Sequence, residues 1–406
     1  MLNENMMQMK YVTTTCPYCG TGCGLNLIVN DSEVVGVAPY HRSPVGNGKL
    51  CARGIYAAKA ISEFRLETPL ISGSPAEWEK AVAEVMKLKN YSGEDLAVYT
   101  SSRLTNEANY CIMRFAKEIL KAGTIGTLTP GIVARGNMHL NDLKEADVAL
   151  VFGDCMKKLP LTGNKLFNMQ QKGGKILYAG EESYTAIQAD AKCLADEEGN
   201  ISLTDEFINL LKEAKNPVVV YSIAGKYAEL AEETAKTCNA KTAVLYETNN
   251  GRGAAEIGYI PSLDTLKTAE KVPKAMLIFA ETPMGDDDIY AELGDILAKV
   301  EHLVVIASNE SSLTNIANVV LPTTTFSESD GTFTNWEGRV QKVSSAVPAP
   351  EGVKSPCEVI AELSGNAISY KDNEAIFADI KTNVPAFNTV SLEDALKAEG
   401  TFIKEV

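Results

Sequence analysis

The chain has 406 residues, a formal net charge of −15, and 45% hydrophobic against 22% charged residues; this sets the expectation of a globular protein of two or three domains. The acidic balance argues against a nucleic-acid surface, which needs clustered Lys and Arg. No apolar run approaches the roughly 18 residues of a membrane span, so no direct membrane insertion is expected.

The first ten residues are polar and Met-rich, with no apolar signal sequence. They lead into Cys16-Pro-Tyr-Cys19-Gly-Thr-Gly-Cys23, and a fourth cysteine follows in Gly48-Lys-Leu-Cys51-Ala-Arg-Gly54. Three thiolates in eight residues, with Gly20, Gly22 and Gly24 free to take positive φ and bring N–H groups to sulfur, suit a compact [4Fe–4S] cube. A structural Zn(Cys)4 site, which normally splits its ligands into two pairs, is the competing reading. Disulfides are disfavoured because the other five cysteines are scattered singly, which fits a reducing, cytoplasmic setting. His41, His139 and His302 are the only histidines and none neighbours another. A His triad or multi-His metal site is therefore not expected, and each is read as a surface or packing residue.

After the cysteines, residues 24–31 and 33–38 alternate and read as a β-hairpin turning at Asn30-Asp31-Ser32. Residues 76–88 have helical spacing, 96–100 read as a buried strand, and 106–121 as an amphipathic helix packed through Ala108, Cys111, Ile112, Phe115, Ala116 and Ile119. From Leu143 strands and helices alternate: strands 147–153, 175–179, 217–221 and 242–246, with helices 161–172, 203–214 and 227–238 between them. The alternation resumes with strand 275–279, helix 289–300, strand 302–306 and an apolar segment 316–322. Helical candidates 357–364 and 373–381 close the chain. Short apolar strands separated by helices predict parallel sheets covered on both faces. Ligand loops are then expected at the strand ends 153–155, 179–181, 247–251 and 280–282. Neither a GxGxxG after an early strand nor a Walker A loop is present.

Together these motifs resemble the molybdopterin oxidoreductase family, in particular formate dehydrogenase α subunits and the large iron–sulfur subunit of complex I (NADH dehydrogenase). The resemblance is carried by the cysteine motif, Leu50-Cys-Ala-Arg-Gly54, Thr105-Asn-Glu107, Glu145-Ala-Asp-Val-Ala-Leu-Val-Phe-Gly153 and Asn249-Asn-Gly-Arg-Gly-Ala254. Ala317-Asn-Val-Val-Leu-Pro322 and Ser329-Asp-Gly-Thr-Phe-Thr-Asn-Trp-Glu-Gly-Arg-Val-Gln341 complete it.

The resemblance implies an α/β chain in which a small [4Fe–4S] β domain (1–55) precedes two doubly wound α/β domains. One is discontinuous (56–140 and 275–406) and the other is inserted (141–274), without the family's C-terminal capping barrel. It implies Cys16, Cys19, Cys23 and Cys51 as cluster ligands and Arg53 as the basic residue between cluster and pterin. Gly153, Asn249, Asn250, Gly251, Thr334, Asn335, Glu337, Gly338 and Arg339 become candidate contacts to a molybdopterin guanine dinucleotide carrying Mo or W. Arg135 or Arg339 could orient an anionic substrate.

Departures from the family pattern shape the expected role. Where active formate dehydrogenases carry a metal-binding Cys or selenocysteine followed by His, residues 123–136 contain neither Cys nor His and look shortened. Cys155 stands where an Asn-Pro pterin contact is usual, and Ala179-Gly180 replaces a nucleotide-holding Asp-Pro. The expected function is therefore an iron–sulfur electron-transfer subunit of a larger oxidoreductase complex, partnered by other iron–sulfur or flavin subunits, with no active site of its own. A catalytic Mo/W-bis-pterin subunit capped by another chain is the alternative. A zinc-stabilised structural subunit is a third.

Overall fold

The computed structural model describes residues 9–129, 133–259, 261–281 and 291–403. Strands β1 (Lys10–Thr15), β2 (Gly24–Asn30) and β3 (Glu33–Pro39) form an antiparallel sheet in that order. Asp31 and Ser32 both take positive φ, 48° and 66°, as a two-residue hairpin turn requires. The hairpin is where the alternation places it, whereas β1 is a strand the periodicity does not announce. Its Lys-Tyr-Val-Thr-Thr-Thr stretch signals through β-branched content instead.

The chain continues through β4 (Leu70–Ile71), β5 (Ser74–Pro75), β6 (Gly93–Thr100) and β7 (Ala122–Thr127), then β8 (Val148–Phe152), β9 (Lys175–Gly180), β10 (Ala191–Leu194), β11 (Pro217–Ser222) and β12 (Lys241–Leu245). Next come β13 (Ala275–Ala280), β14 (His302–Ala307) and β15 (Val319–Pro322). β16 (Gly331–Thr334), β17 (Arg339–Val343) and β18 (Thr401–Phe402) end the series. Strands β8–β12 build an all-parallel sheet in the order β10-β9-β8-β11-β12. Strands on both sides of that segment build a seven-stranded sheet, β5-β4-β15-β14-β13-β6-β7, parallel from β15 to β7. Every residue of β8, β13 and β14 is buried, which explains their continuous apolar runs. Strand order reverses between β8 and β11 in one sheet and between β6 and β13 in the other, so each sheet has a crevice at its carboxyl edge.

Several expectations shift. The helix expected over 106–121 is α-helical only for Asn106–Arg114. A wider π turn, Phe115–Leu120, follows and ends at Lys121 in the left-handed region with φ 55°. The segment 123–136, read as a loop, opens with β7, an edge strand whose glycines conceal it from β-propensity. Gly123 passes so close to Gly93 that a Cβ there would lie 2.4 Å from its carbonyl carbon. Of the helix expected over 289–300, residues 289 and 290 lie outside the described residues; the rest is a 3-10 turn, Ala291–Leu293, and a short helix, Gly294–Leu297. Residues 316–322 divide into the end of a helix, Ser312–Ile316, and β15. The 329–341 motif, whose residues 334–339 are candidate pterin contacts, is a hairpin of β16 and β17. The closing helices, Pro356–Leu363 and Asn373–Asn383, pack on Asn106–Arg114, which is buried on nearly all sides.

Candidate metal centre

The cysteine loop is the connection of the β1–β2 hairpin. Thr15 pairs with Gly24, and the Cys16 N–H donates to the Cys23 carbonyl at 2.8 Å. Cys16, Cys19 and Cys23 are buried and Cys51 is half-buried, all as free thiols. Cys51 stands in extended conformation just before the helix Ala52–Ile55. That segment folds onto the loop: a Cβ at Gly54 would lie 3.8 Å from Cys16 Sγ, and one at Gly46 3.9 Å from Cys23 Sγ.

Burial pushes the thiols of Cys16, Cys19 and Cys23 up. Cys23 is raised further by Cys19, Cys16 and Cys51, so the four sulfurs lie within electrostatic reach of one another. Their protons leave only when a cationic metal replaces them. Four mutually coupled thiols in a three-plus-one spacing suit a polynuclear cluster, whereas a structural zinc site normally splits its ligands into two pairs.

Cations surround this site. Arg53 lies 5.8 Å from the Tyr18 ring centroid and donates to the Lys158 carbonyl at 2.5 Å; its charge favours the thiolates of Cys16 and Cys19. Lys165, on the helix Pro160–Gln171, is 9% exposed and donates to Asn141 Oδ1 at 3.0 Å. Burial, then the charges of Lys144 and Lys49, depress its pKa, and it favours the thiolate of Cys23. Sequence reasoning passes over Lys165. The available signal is a lone lysine four residues from Leu161 on one side and Met169 on the other, on a helix's packed face. Arg103 also escapes it; its Nη1 donates to the carbonyls of Pro17, at 3.0 Å, and Tyr18.

Most candidate pterin contacts are engaged within the protein. Asn335 donates to the Thr21 carbonyl at 3.1 Å and accepts from the Arg339 N–H at 2.9 Å. Trp336 N–H donates to the Gly20 carbonyl at 2.9 Å, and Gln341 donates to the Gly22 carbonyl at 2.8 Å. Three consecutive carbonyls of the cysteine loop are thus held by one hairpin. Thr334 Oγ1 accepts from Asn106, and Asn250 bridges the Leu104 carbonyl and the Thr334 N–H at 2.7 Å each. Gly251 opens a short helix, where a Cβ would sit 2.8 Å from Thr248 Oγ1. Gly338 holds φ 82° with a Cβ position 2.9 Å from the Arg252 guanidinium.

Glu337 accepts from Arg339 Nε and the Leu140 N–H at 2.8 Å each, and His139 approaches at 3.7 Å. Burial opposes its charge, yet the bonds from His139 and Arg339 hold its carboxyl down at about 2. The guanidinium forks suggested for an anionic substrate are occupied as well: Arg339 also donates to the Glu399 carbonyl, and Arg135 pairs with both oxygens of Glu256. Asn249 differs. It is fully buried, and neither atom of its amide has a hydrogen-bond partner among the described residues.

The crevice of the five-stranded sheet encloses about 280 Å³. Gly153, with φ 72°, and Cys155 form its floor. Cys155 Sγ donates to the Phe152 carbonyl at 3.2 Å, and burial followed by Glu247 pushes its thiol up to about 12. No carboxylate stands at Ala179-Gly180; Glu181, two residues beyond Ala179 and just past β9, lines this crevice and accepts from Tyr227 at 2.8 Å. The crevice cations are paired, Lys158 with Glu247 at 2.6 Å and Lys226 with Glu181 at 3.9 Å.

The second crevice, about 380 Å³ at the seven-stranded sheet, gathers Glu281, Glu328, Asp330, Glu358 and Asp372 against Arg103 and Lys371. Burial lifts Glu281 to about 7, and Ser308 donates to its Oε2 at 2.7 Å. Arg65 pairs with Glu328 at 2.7 Å, and the carboxyl groups still outnumber the cations, a poor match to a pyrophosphate. Thr282, the end of the loop expected at 280–282, lies outside the described residues.

Comparison with known proteins agrees with this geometry. Residues 9–63 match the Molybdopterin oxidoreductase Fe4S4 domain and residues 65–366 match Molybdopterin oxidoreductase. The chain is 25% identical to F420-dependent formate dehydrogenase 1 subunit alpha of Methanococcus maripaludis, covering 95% of this chain and 75% of that one. It is 27% identical to F420-dependent formate dehydrogenase subunit alpha of Methanocaldococcus jannaschii, with 97% and 76% covered. Formate dehydrogenase H of Escherichia coli is 24% identical, with 95% and 72% covered. The first of these alignments runs over 508 positions, more than this chain possesses, so that relative carries internal segments this chain lacks. Acetylene hydratase from Pelobacter acetylenicus shares the fold, with a TM-score of 0.60 at 14% identity over 97% of this chain and 74% of the other. A cluster domain with four coupled thiols, joined to two doubly wound sheets and matched from residue 9 to residue 366, makes this chain a formate dehydrogenase-like member of the molybdopterin oxidoreductase family.

Proposed function

We propose that the chain is an electron-transfer member of its family, with a [4Fe–4S] cluster held by Cys16, Cys19, Cys23 and Cys51 as its working part. One observation carries the reading. The four thiols are gathered and their loop is anchored, while residues 123–136, where a thiolate ligand to Mo or W would be supplied, contain no Cys or His. When bound, such a cluster supplies reversible one-electron storage. The chain's residues shape that chemistry. Gln341, Trp336 and Asn335 fix the loop carbonyls; Arg53 and Lys165 offset the added negative charge; burial keeps water from the sulfurs.

The acid-lined crevice supports the same reading, because it offers a pyrophosphate mainly carboxyl groups. A second reading, in which a pterin nucleotide is retained at the five-stranded sheet, is favoured by the unpartnered amide of Asn249 and by Glu181 in the crevice. Anaerobic purification followed by iron, zinc, molybdenum and tungsten analysis separates the cases. Iron near four atoms per chain, with neither Mo nor W at stoichiometry, is expected. Stoichiometric Mo or W together with formate oxidation would show a catalytic subunit instead.

A further inference from the structure

We propose that Cys111 and Cys357 are a redox-active dithiol. A neutral, low-molecular-weight disulfide entering the crevice at the seven-stranded sheet closes them into an intramolecular bond, which latches the helix Pro356–Leu363 onto Asn106–Arg114. The two cysteines belong to the five that are scattered singly in the sequence, and the fold brings them together. Cys111 lies on the helix Asn106–Arg114 and Cys357 in the first turn of Pro356–Leu363, and the two helices pack on each other. Cys357 lines the crevice together with Thr105 and Ala108. Cys111 stands three residues beyond Ala108, one turn farther along the same helix face, and its thiol is within hydrogen-bonding reach of the Cys357 thiol. Cys111 is 1% exposed and Cys357 is half-buried. The partly exposed thiol is therefore the one a reagent meets, and the covered thiol resolves.

The surroundings set which reagent acts and how fast. Contact with Cys111, then burial, then the charges of Glu107 and Glu358 push the Cys357 thiol well up. The thiolate is the nucleophile, so closure is slow and answers a sustained oxidant, not a passing one. The crevice carboxyl groups outnumber its cations, which repels an anionic disulfide such as oxidised glutathione and admits an uncharged one. The exchange balances. The Cys357 thiolate attacks one sulfur of the reagent and breaks its S–S bond; one half leaves and takes up a proton, and the other stays on Cys357 as a mixed disulfide. The Cys111 thiolate then attacks the Cys357 sulfur and expels the second half, which takes up the other proton. Two protein thiols are oxidised, and the reagent's disulfide is reduced to two thiols. In a reducing compartment such bonds are transient and redox-sensing. The helix that carries Cys111 also carries Asn106 and Glu107, which hold Thr332 and Thr334 of the hairpin gripping the cysteine loop. The latch therefore fastens Pro356–Leu363 to the support of that loop.

The test takes the anaerobically purified full chain, treats it with excess 2-hydroxyethyl disulfide, removes the reagent, and unfolds the protein in iodoacetamide for digestion without reductant. Mass spectrometry is expected to find the Cys111 and Cys357 peptides joined, at the mass of the two reduced peptides less two hydrogens, with the metal content of the native treated chain unchanged. Oxidised glutathione at the same concentration is expected to close the pair about tenfold more slowly. Cys111→Ser should hold the hydroxyethylthio group on Cys357, whereas Cys357→Ser should leave Cys111 unmodified, which separates the attacking thiol from the resolving one. The closed parent should melt a few degrees above its reduced form. Recovery of both cysteines as alkylated thiols, after the reagent has fully converted a reference thiol peptide in the same tube, overturns the proposal. Equal rates with the two disulfides overturn the crevice as the route, and a closed form that melts no higher than the reduced one overturns the latch.

Discussion

The cysteine loop and the crevice at the seven-stranded sheet sit in one chain and have diverged in opposite directions. In the loop, backbone carbonyls are tied down one after another, buried Lys165 and half-buried Arg53 face the thiols, and Gly20 stands where a side chain would collide with the Tyr246 carbonyl. In the crevice, carboxyl groups outnumber cations even with Arg65 paired to Glu328, and burial lifts Glu281 to about 7. A site maintained for a negatively charged inorganic cluster accumulates positive charge around it. On the proposed electron-transfer role, membership of the family fixes the scaffold, while local charge separates its two kinds of site.

The largest effects should follow from breaking the loop. Cys19→Ser or Cys23→Ser is expected to abolish iron binding altogether, read as loss of the visible charge-transfer absorption, whereas Cys155→Ser in the other crevice leaves iron content unchanged. Gly20→Ala sharpens the comparison next. Its Cβ would lie 2.0 Å from the Tyr246 carbonyl oxygen, so backbone must move, at about 1–3 kcal/mol with partial loss of iron. Gly153→Ala has open space and bears only the strain of its positive φ, about 1 kcal/mol, with full iron content. Chemical denaturation of the two variants side by side checks the ordering.

A smaller effect concerns Glu337, which joins the cluster hairpin to residues 139–140. Its folded pKa is depressed from 4.5 to about 2, so its contribution is present above the unfolded value and is lost as pH falls from about 4.5 toward 2. His139 is shifted the other way: its bond to Glu337 raises its pKa, so its contribution is complete below about 6.5 and lost as pH rises through the raised value. Because His139 is 49% exposed at its side chain, that second contribution is well under 1 kcal/mol. His139→Gln should flatten the alkaline slope of a stability–pH curve, and Glu337→Gln the acid one. The smallest expected change is electronic. Lys165→Met removes a buried cation near Cys23 and should lower the midpoint potential by an amount on the order of tens of millivolts, while Lys226→Met at the crevice leaves it fixed.

Much of this is legible in the sequence, for identifiable reasons. The cysteine spacing, the β2–β3 turn and the parallel strands are local patterns, set by ligand geometry, positive-φ residues and continuous apolar runs. What escapes is set by distant contacts. β7 is glycine-rich and becomes a strand only because β6 offers an edge, and Lys165 becomes part of the site only because its helix docks beneath the loop. The 329–341 motif is conspicuous in the sequence as part of the family resemblance. Its Asp, Gly and Asn suggest a turn, yet its function in the structure is to grip the cysteine loop through side chains more than 300 residues away.

If the four-cysteine site, and no Mo or W centre, is the redox-active part of this chain, metal analysis of the anaerobically purified protein combined with EPR of its dithionite-reduced form tests it most directly. The expected result is about four irons per chain, a paramagnetic reduced state that vanishes in Cys19→Ser, and no stoichiometric Mo or W. Zinc in place of iron, or a stoichiometric Mo or W signal accompanied by formate oxidation, would contradict it.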